Sequence, residues 1–263
     1  MTKRILVTGG AGFIGSNFLH HLLTRHPEYP VYVLDSLTYA GNLDNLPREL
    51  FECPRYHFVE GSITDEPLLK KLMDKTDVVV HFAAESHVSY SIQNVSVFVE
   101  TNVRGTQILC EAIRGSGVER FLNISSSEVY GSALTTPMDE DHPLLPFSPY
   151  AASKIGAERM VYAYYKTFDL PALIIRPFNN FGPRQHIEKV IPRFITQALS
   201  GEPISVHDDG RQTRDWLYVE DCCEAIDKAI HADSGKLKGE VINLGTGKDT
   251  GILAIAEMIQ DLL

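Results

Sequence analysis

The stretch that decides the fold is "ILVTGGAGFIGSNF", residues 5–18, where a short apolar run leads into glycines and then into an amphipathic segment. Gly9, Gly12 and Gly15 form a G-x-x-G-x-x-G spacing between a predicted strand and a predicted helix. Glycines at such points permit a tight turn, close approach of the backbone to a pyrophosphate, and close packing of helix on strand. The amides and the dipole at the helix N-terminus favour phosphate charge. The stretch therefore predicts a dinucleotide-binding loop.

An acidic residue at the end of the second predicted strand selects the dinucleotide. Asp35 follows Gly15 by 20 residues, about where a ribose hydroxyl needs an acceptor. A carboxylate there accepts hydrogen bonds from free ribose hydroxyls and repels a 2′-phosphate. The next residues, Ser36, Leu37 and Thr38, include no arginine. The sequence therefore predicts NAD rather than NADP as cofactor.

Short apolar runs alternate with amphipathic stretches of helical length along the first 180 residues, a pattern typical of βαβ units and a parallel sheet. The predicted strands are "RILVTG", "VYVLD", "YHFVEG", "DVVVHFAA", "RFLNISS" and "PALIIRPFN". The predicted helices lie near 13–26, 65–74, 96–114 and 149–168. We expect a Rossmann-type, doubly wound parallel α/β sheet over 1–178, a smaller substrate lobe over 179–263, and a return to the first domain near 215–245.

Composition sets the class of protein. The chain has 263 residues, 44% hydrophobic and 22% charged, and a net charge of -10, which argues against nucleic acid as a partner. No apolar run approaches the roughly 20 residues that span a bilayer, and a strand begins almost at the N-terminus, so we expect a cytoplasmic protein without membrane contact. The four cysteines, Cys53, Cys110, Cys222 and Cys223, are expected to be reduced structural residues.

The segment "SPYAASKIGAERM" places Tyr150 and Lys154 four residues apart. On a helix this spacing puts both side chains on one face. An ammonium beside a phenol stabilises the tyrosinate and lowers its pKa, which makes the phenol a proton shuttle near neutral pH. Downstream of a dinucleotide loop, the pair predicts catalysis rather than a solvated helix face.

These residues resemble the extended short-chain dehydrogenase/reductases that act on nucleotide sugars, and most of all the dTDP-glucose 4,6-dehydratases. The segments that carry the resemblance are "DSLTYAGNLDNL" (35–46), "VHFAAESHV" (80–88), "SEVYG" (127–131), "SPYAASK" (148–154), "RPFNNFGP" (176–183), "EKVIPRFITQAL" (188–199) and "RDWLYVEDC" (214–222). The resemblance implies a lyase that uses tightly bound NAD. Tyrosinate takes the sugar O4 proton while C4 gives up hydride, a glutamate takes the C5 proton, water leaves C6, and the hydride returns to C6.

By resemblance, Tyr150 is the first base, Lys154 tunes it, Glu128 is the C5 base, and Ser126 hydrogen-bonds near O4. Ser127 departs from the pattern, because it stands where the family has the aspartic acid that helps expel the C6 hydroxyl. A serine hydroxyl is a poor acid at neutral pH. GDP-mannose 4,6-dehydratases and UDP-glucuronate decarboxylases also carry Ser-Glu here, so decarboxylation stays open. A 4-epimerase stays open too, and so does a non-catalytic NAD-binding module, although such modules typically lose the tyrosine or the lysine.

The resemblance also implies a set of ligand-binding residues. For NAD they are Gly9, Gly12, Phe13, Ile14, Gly15, Asp35, Ser36, Leu37, Thr38, Gly41, Ser62, Ile63, Ala83, Ala84, Ser86, Tyr150 and Lys154. For the nucleotide-diphosphate sugar they are Ser86, His87, Asn179, Lys189, Val190 and Arg214, and Arg211 is added mainly because of its charge. Arginine suits a pyrophosphate because its planar fork donates two hydrogen bonds at once.

The remaining expectations concern assembly and the histidines. Helices 96–114 and 149–168 resemble a dimer-forming pair, which predicts a homodimer with a four-helix interface. Family members continue beyond residue 263, so we expect an incomplete substrate lobe. His81 lies in an apolar run and is expected to be a core residue, while His20, His21, His142 and His207 share no metal-ligand spacing. No residue is assigned as a metal ligand, and Asp215, Glu220 and Asp221 are expected to satisfy local groups.

Overall fold

The computed structural model describes residues 2–206 and 209–263, so His207 lies outside the described residues. Two sheets contain its strands. The strands are β1 (Ile5–Thr8), β2 (Val31–Asp35), β3 (Tyr56–Glu60), β4 (Val78–His81), β5 (Arg120–Ile124), β6 (Ala172–Pro177), β7 (Asn179–Phe181), β8 (Thr213–Tyr218), β9 (Val241–Leu244) and β10 (Asp249–Gly251). Seven of them form a parallel sheet in the order β3-β2-β1-β4-β5-β6-β9. The predicted Rossmann-type fold is confirmed.

Helices cover both faces of this sheet. They are α1 (Phe13–Arg25), α2 (Glu49–Glu52), α3 (Glu66–Met73), α4 (Val88–Gln93), α5 (Val95–Phe98), α6 (Thr106–Ile113), α7 (Pro149–Phe168), α8 (Val190–Leu199), α9 (Val219–His231), α10 (Ser234–Leu237) and α11 (Ile252–Leu262). A π-helix, Val99–Gly105, joins α5 to α6, so the helix predicted near 96–114 is one continuous helical stretch of three segments. Short 3₁₀ turns occupy Leu43–Asn45 and Ser127–Tyr130.

The strands at the middle of the sheet are buried along their whole length, which is why they read as unbroken apolar runs. On one face α1 and α9 supply Phe18, Leu22 and Ile226 to the core. On the other face α3 and α6 supply Leu69 and Leu109. The core therefore holds the carboxyl ends of the central strands in fixed positions.

The C-terminal segments divide between two places. Strands β7, β8 and β10 form a separate three-stranded sheet, and α8 packs against α11 through Phe194, Ala256 and Ile259. Helix α9 packs on α1, and β9 pairs with β6 at the edge of the main sheet. No strand is predicted from the sequence between 179 and 263, so these pairings are findings of the structure. The division at residue 178 stays a prediction.

The surroundings of His81, of the cysteines and of Asp215 agree with the roles expected from the sequence. His81 is buried, with Thr8 Oγ1 2.7 Å from its Nδ1 and Thr106 Oγ1 3.1 Å from its Nε2, which confirms a core residue. The four cysteines are free thiols. The Asp215 carboxylate accepts hydrogen bonds from the N–H groups of Thr246 and Gly247, as expected for a locally satisfied carboxylate. Within the described residues, no helix is long and apolar enough to cross a membrane.

Candidate active site

A cavity of about 1010 Å³ lies where the strand order reverses. Strand β1 pairs with β2 on one side and with β4 on the other, so the segments that follow β1 and β4 diverge and leave a crevice. Most of the predicted site residues line this cleft. They are Gly9, Gly12, Phe13, Ile14, Gly15, Asp35, Ser36, Thr38, Gly41, Ser62, Ile63, Ala83, Ala84, Ser86, Ser126, Glu128, Tyr150, Lys154, Asn179 and Lys189.

The glycine loop leaves no room for side chains on its inner side. Gly9 has φ +72°, and a Cβ there would lie 2.5 Å from the backbone nitrogen of Ala83. A Cβ on Gly15 would lie 2.2 Å from the carbonyl oxygen of Gly9. Helix α1 begins directly after Gly12, so its first turn opens on the cleft. The loop therefore has the backbone approach and the helix N-terminus that a pyrophosphate needs.

Asp35 is held at the other end of the same crevice. Its Oδ2 accepts from the Ala11 N–H and its Oδ1 from the Leu37 N–H, both at 2.8 Å. Burial raises the pKa of this carboxyl, and the two N–H groups oppose that effect. A Cβ on Gly41 would lie 2.9 Å from Oδ1, so glycine keeps the approach to the carboxylate open. An acceptor with free lone pairs in a cleft of this kind fits a ribose diol.

The predicted catalytic pair lies in the first turns of α7. Ser148 caps the helix by accepting from the Ala151 N–H, and Tyr150 and Lys154 follow on one face of it. The Ser126 side chain acts to lower the pKa of the Tyr150 phenol, and the Lys154 ammonium donates to the Ile124 carbonyl at 2.7 Å. The end of β5 and the start of α7 therefore bring together the hydroxyl, phenol and ammonium that the sequence predicted.

The pKa of Tyr150 differs from its expected direction. The sequence predicted that Lys154 lowers the pKa of Tyr150. Instead, burial raises the pKa of Tyr150 to about 12, the Ser126 side chain acts in the opposite direction, and the nearby Glu128 raises the pKa further. Burial also lowers the pKa of Lys154 to about 8, against the effect of Glu158. The physical reason is that both groups lose water, and the ammonium is directed at the Ile124 carbonyl.

The segment "SSSEVY" after β5 turns as a 3₁₀ helix. Ser126 is its N-cap and accepts from the Glu128 N–H at 3.2 Å, and both residues line the cleft. Ser125 is also a lining residue, although the sequence assigned it no role. Ser127, the departure from the family pattern, is half-buried and is not among the lining residues.

A buried network fixes the two catalytic segments relative to each other. Arg176 on β6 forms a bidentate pair with Glu158, one turn beyond Lys154 on α7, with contacts of 2.9 and 2.7 Å. The same guanidinium donates to the Tyr130 hydroxyl at 2.8 Å, and Tyr130 donates to Asn243 on β9 at 2.7 Å. Because Tyr130 ends the turn that holds Glu128, the network joins that turn to α7.

The entrance to the cleft carries a charged cluster centred on Glu188. Its carboxylate lies 3.1 Å from His87 Nε2 and 3.2 Å from Lys189 Nζ. Lys189 Nζ also lies 3.5 Å from the Ser86 carbonyl, and the Tyr39 hydroxyl is 3.3 Å from Ser86 Oγ. Lys189 is therefore already paired with a carboxylate, which an anionic ligand would have to replace.

Some predicted ligand residues lie outside the cleft lining. Leu37 contributes its N–H to Asp35, and His87 contacts the cleft residue Glu188. Val190 opens α8 and packs against its apolar cluster. Arg211 is 85% exposed and pairs with Asp209, and Arg214 is exposed on β8. Their binding roles stay predictions.

The cleft also contains residues that the sequence left without a role. Tyr39, Glu85 and Glu188 belong to "TYAGN", "AAESHV" and "EKVIP", the specific segments of the resemblance, so membership in those segments was the available signal. Arg184, which also lines the cleft, has a positive φ of 67° and donates to the Asn17 side chain. Burial raises the pKa of the Glu85 carboxyl.

Known proteins of similar sequence and fold agree with this geometry. Residues 5–245 match the model of the NAD dependent epimerase/dehydratase family. A low-salt glycan biosynthesis protein, Agl12, of Haloferax volcanii is 49% identical over 97% of this chain and 81% of its own length. DesIV, a dTDP-glucose 4,6-dehydratase from Streptomyces venezuelae solved with NAD bound, superposes with a TM-score of 0.92 at 44% identity, over 98% of this chain and 80% of that one.

Epimerases share the same architecture. A UDP-glucuronic acid 4-epimerase from Bacillus cereus, solved with NAD and UDP-glucuronic acid, superposes with a TM-score of 0.91 at 34% identity, over 98% of this chain and 82% of that one. Fold alone therefore does not separate dehydratases from epimerases. The chain belongs to the NAD dependent epimerase/dehydratase family.

Proposed function

We propose that this chain is a cytoplasmic, NAD-dependent nucleotide-sugar 4,6-dehydratase, a hydro-lyase that acts on a sugar such as that of dTDP-glucose. The observation that carries the proposal is the convergence of Ser126, Glu128, Tyr150 and Lys154 on the cleft that also contains the glycine loop and Asp35. An oxidation site and a second base then share one cavity, which is what dehydration needs.

NAD fits the residues present. The glycines leave backbone exposed where a Cβ would collide, and Asp35 offers acceptor lone pairs at the carboxyl end of β2. When bound, NAD supplies the acceptor for the C4 hydride and gives the hydride back at C6. The glycine loop would hold its pyrophosphate, Asp35 its ribose, and Tyr150 and Lys154 would lie beside its reactive end.

The chain's own groups handle the protons. Ser126 and Tyr150 bind the sugar O4, and tyrosinate takes the O4 proton as the C4 ketone forms. A tyrosine whose pKa is about 12 keeps its proton at neutral pH, so its base form requires positive charge beside it. Lys154, which lines the cleft one turn along α7 from Tyr150, supplies part of that charge.

Glu128 performs the step that separates dehydration from simple oxidation. The ketone at C4 makes the C5 hydrogen acidic, and the carboxylate of Glu128 removes it. The C6 hydroxyl leaves with a proton as water, the hydride is added at C6, and a proton returns to C5. The net change is loss of one water, so the product is a 4-keto-6-deoxy sugar.

Ser127 favours a second candidate, a decarboxylase or 4-epimerase on the same scaffold. A hydroxyl is a poor acid, and Ser127 is not among the cleft-lining residues, so the usual acid at C6 is not supplied from this position. A β-keto acid formed from a glucuronate loses carbon dioxide without an acid at C6. An epimerase needs no acid either, but it leaves Glu128 without a task.

The decisive experiment offers the purified protein dTDP-glucose, UDP-GlcNAc and UDP-glucuronate and analyses the products by mass spectrometry. Loss of the mass of water supports the dehydratase, and loss of the mass of carbon dioxide indicates the decarboxylase. A new isomer of unchanged mass indicates the epimerase. Tyr150→Phe is expected to abolish turnover by removing the proton acceptor, while the matched change Tyr32→Phe, away from the cleft, retains it. Unchanged turnover in Tyr150→Phe would contradict the proposal.

The nucleotide-diphosphate arm is assigned to Asn179, Lys189, Arg211 and Arg214. Asn179 and Lys189 line the cleft, and Arg214 lies on β8, the strand that pairs with β7, on which Asn179 lies. Arg214→Ala is expected to raise KM for the sugar nucleotide with less effect on kcat, because it removes binding remote from the reacting carbons. Equal KM in the variant and the parent would remove Arg214 from the site.

We also propose a homodimer formed by the stretch 95–113 and α7. These segments pack on each other and still expose apolar side chains. Val95 and Val99 are 46% and 49% exposed, and Met160 and Tyr162 are 37% and 40% exposed. A second copy would cover this face in a four-helix arrangement. Light scattering at micromolar concentration should give twice the mass of one chain, and Val99→Glu with Met160→Glu should halve it.

A further inference from the structure

Three histidines surround one aspartate at the end of α1 that lies away from the cleft. His21 and His26 come from the last turns of α1 and its C-cap, and Asp227 and His231 lie one turn apart on α9. Helix α1 has 13 residues, so this cluster lies about 20 Å along the helix from the glycine loop. The cluster is therefore separate from the active site.

The distances centre on one carboxylate oxygen. Asp227 Oδ1 lies 3.0 Å from His26 Nε2 and 3.1 Å from His231 Nδ1. One ligand atom from each of these three residues lies within 4.8 Å of the other two. Around a tetrahedral zinc ion with bonds of about 2.0–2.1 Å, neighbouring ligand atoms are about 3.4 Å apart. The two separations from Asp227 are thus close to that value. Small side-chain rotations would bring the third separation, between the ligand nitrogens of His26 and His231, to the same value.

The surroundings hold these groups in place. His21 Nε2 lies 3.1 Å from Asp227 Oδ2, the other carboxylate oxygen, so a hydrogen bond from His21 orients the carboxylate. The rings of His26 and His231 stack with centroids 4.7 Å apart, and the Tyr29 hydroxyl lies 3.0 Å from His231 Nε2. Side chains that fix the ligands from behind are typical of metal sites.

The His231 ring can adopt one tautomer without a bound ion and the other tautomer with an ion bound. Its Nδ1 lies 2.8 Å from the Asp227 carbonyl oxygen, so without an ion Nδ1 carries the proton and donates to that oxygen. In the other tautomer the proton is on Nε2 and is donated to the Tyr29 hydroxyl, which leaves the Nδ1 lone pair free for an ion. A cation therefore competes only with the hydrogen bond from Nδ1 to the Asp227 carbonyl. The Tyr29 hydroxyl can donate to Nε2 in one tautomer and accept from it in the other.

We propose that His26, Asp227 and His231 bind a divalent transition-metal ion such as Zn²⁺, with His21 as a positioning residue and the fourth position open to water. Two imidazoles and one carboxylate suit zinc, nickel or copper, whereas magnesium and calcium prefer oxygen ligands alone. The side chains of His26, Asp227 and His231 are 22%, 15% and 32% exposed, so an ion can enter from solvent. The ion joins α1 to α9, two helices that pack on the same face of the sheet.

The test is calorimetric titration of the untagged, chelator-treated protein with zinc chloride. We expect one zinc ion per chain at micromolar concentration, and binding more than roughly 10-fold weaker in His26→Gln, Asp227→Asn and His231→Gln. His20→Gln is the matched control, because His20 is next to His21 but contacts the Asn45 carbonyl instead. Absence of saturable zinc binding by the parent, or equal binding by the three variants, would overturn the proposal.

A second measurement keeps the test independent of folding defects in the variants. Zinc that binds only the folded chain raises the folding equilibrium constant by the factor 1 + [Zn]/Kd, about 100-fold at a free concentration 100 times the Kd. The thermal midpoint of the parent and of His20→Gln should therefore rise with added zinc. The midpoint of any variant that folds but lacks a ligand should not respond. A parent midpoint that does not move with zinc would equally overturn the proposal.

Discussion

Removing the charge of Glu158 should destabilise the protein more than any comparable change on its surface. Glu158 is 0% exposed and Arg176 2% exposed, and their bidentate contacts are 2.9 and 2.7 Å long. Glu158→Gln keeps the shape of the side chain but leaves the guanidinium charge buried without its partner. Breaking a buried pair in this way costs about 3–5 kcal/mol in the free energy of unfolding. The corresponding fall in Tm is about 6–20 °C.

Urea unfolding and calorimetry measure the effect, with Glu66→Gln as the control. Glu66 pairs with Lys70 on α3 in solvent, at 47% and 61% exposure, so its loss should cost no more than about 1 kcal/mol. The double change Glu158→Leu with Arg176→Met removes both charges and leaves two acceptors, the Tyr130 hydroxyl and the Glu140 carbonyl, without the guanidinium. At about 1 kcal/mol each, it should cost about 2 kcal/mol. A loss below about 1 kcal/mol in Glu158→Gln, or a larger loss in the double variant, would refute the reasoning.

Three further predictions follow from the cleft. Gly15→Ala should abolish NAD binding in a fluorescence titration, because its Cβ would lie 2.2 Å from the Gly9 carbonyl oxygen, whereas Gly251→Ala has nothing within 4 Å and should bind normally. Ser126→Ala should lower kcat by roughly 10²-fold or more, with NAD affinity retained, because it removes a hydroxyl that lowers the pKa of Tyr150. Lys154→Met should abolish turnover yet stabilise the fold by about 2 kcal/mol at pH 7. Burial of the ammonium destabilises the folded chain by about 3 kcal/mol, and its hydrogen bond to the Ile124 carbonyl stabilises the folded chain by about 1 kcal/mol. Between pH 8 and the ordinary lysine pKa, the side chain of Lys154 binds more protons in the unfolded chain than in the folded one. The parent should therefore gain stability relative to Lys154→Met as the pH rises through that window. If urea unfolding gives the same difference in the free energy of unfolding between the two proteins at pH 7 and at pH 10, this reasoning is wrong.

The first 180 residues were predictable because their signals are local. Each strand from β1 to β6 lies in a separate apolar run, and the glycine loop, Asp35 and the Tyr150–Lys154 pair depend on short spacings. Strands β7 to β10 have no such signal, since most of their residues are half-buried or exposed and their partners are distant in the chain. Pairing of that kind is decided by tertiary contacts rather than by periodicity.

The site was predictable as a set of residues but not as an electrostatic environment. Spacing and resemblance identified Tyr150 and Lys154, yet the direction of their pKa shifts depends on how deeply both groups are buried. The pairing of Lys189 with Glu188, its neighbour in the chain, depends on side-chain conformation. The histidine cluster unites residues about 200 positions apart, so only the packing of α9 on α1 reveals it.

The position of β9 has a consequence for how the protein is made. This strand covers the edge of β6, and it is synthesised only after β7, β8 and α9. Until residue 244 emerges, β6 presents unpaired backbone groups, and such an edge invites pairing with another chain. Strands β7 and β8 and helix α8 are synthesised in between, so the main sheet is completed only after the substrate lobe has begun to form. Nascent chains that stop before residue 241 should therefore depend on chaperones, even though every catalytic side chain assigned above has already been made.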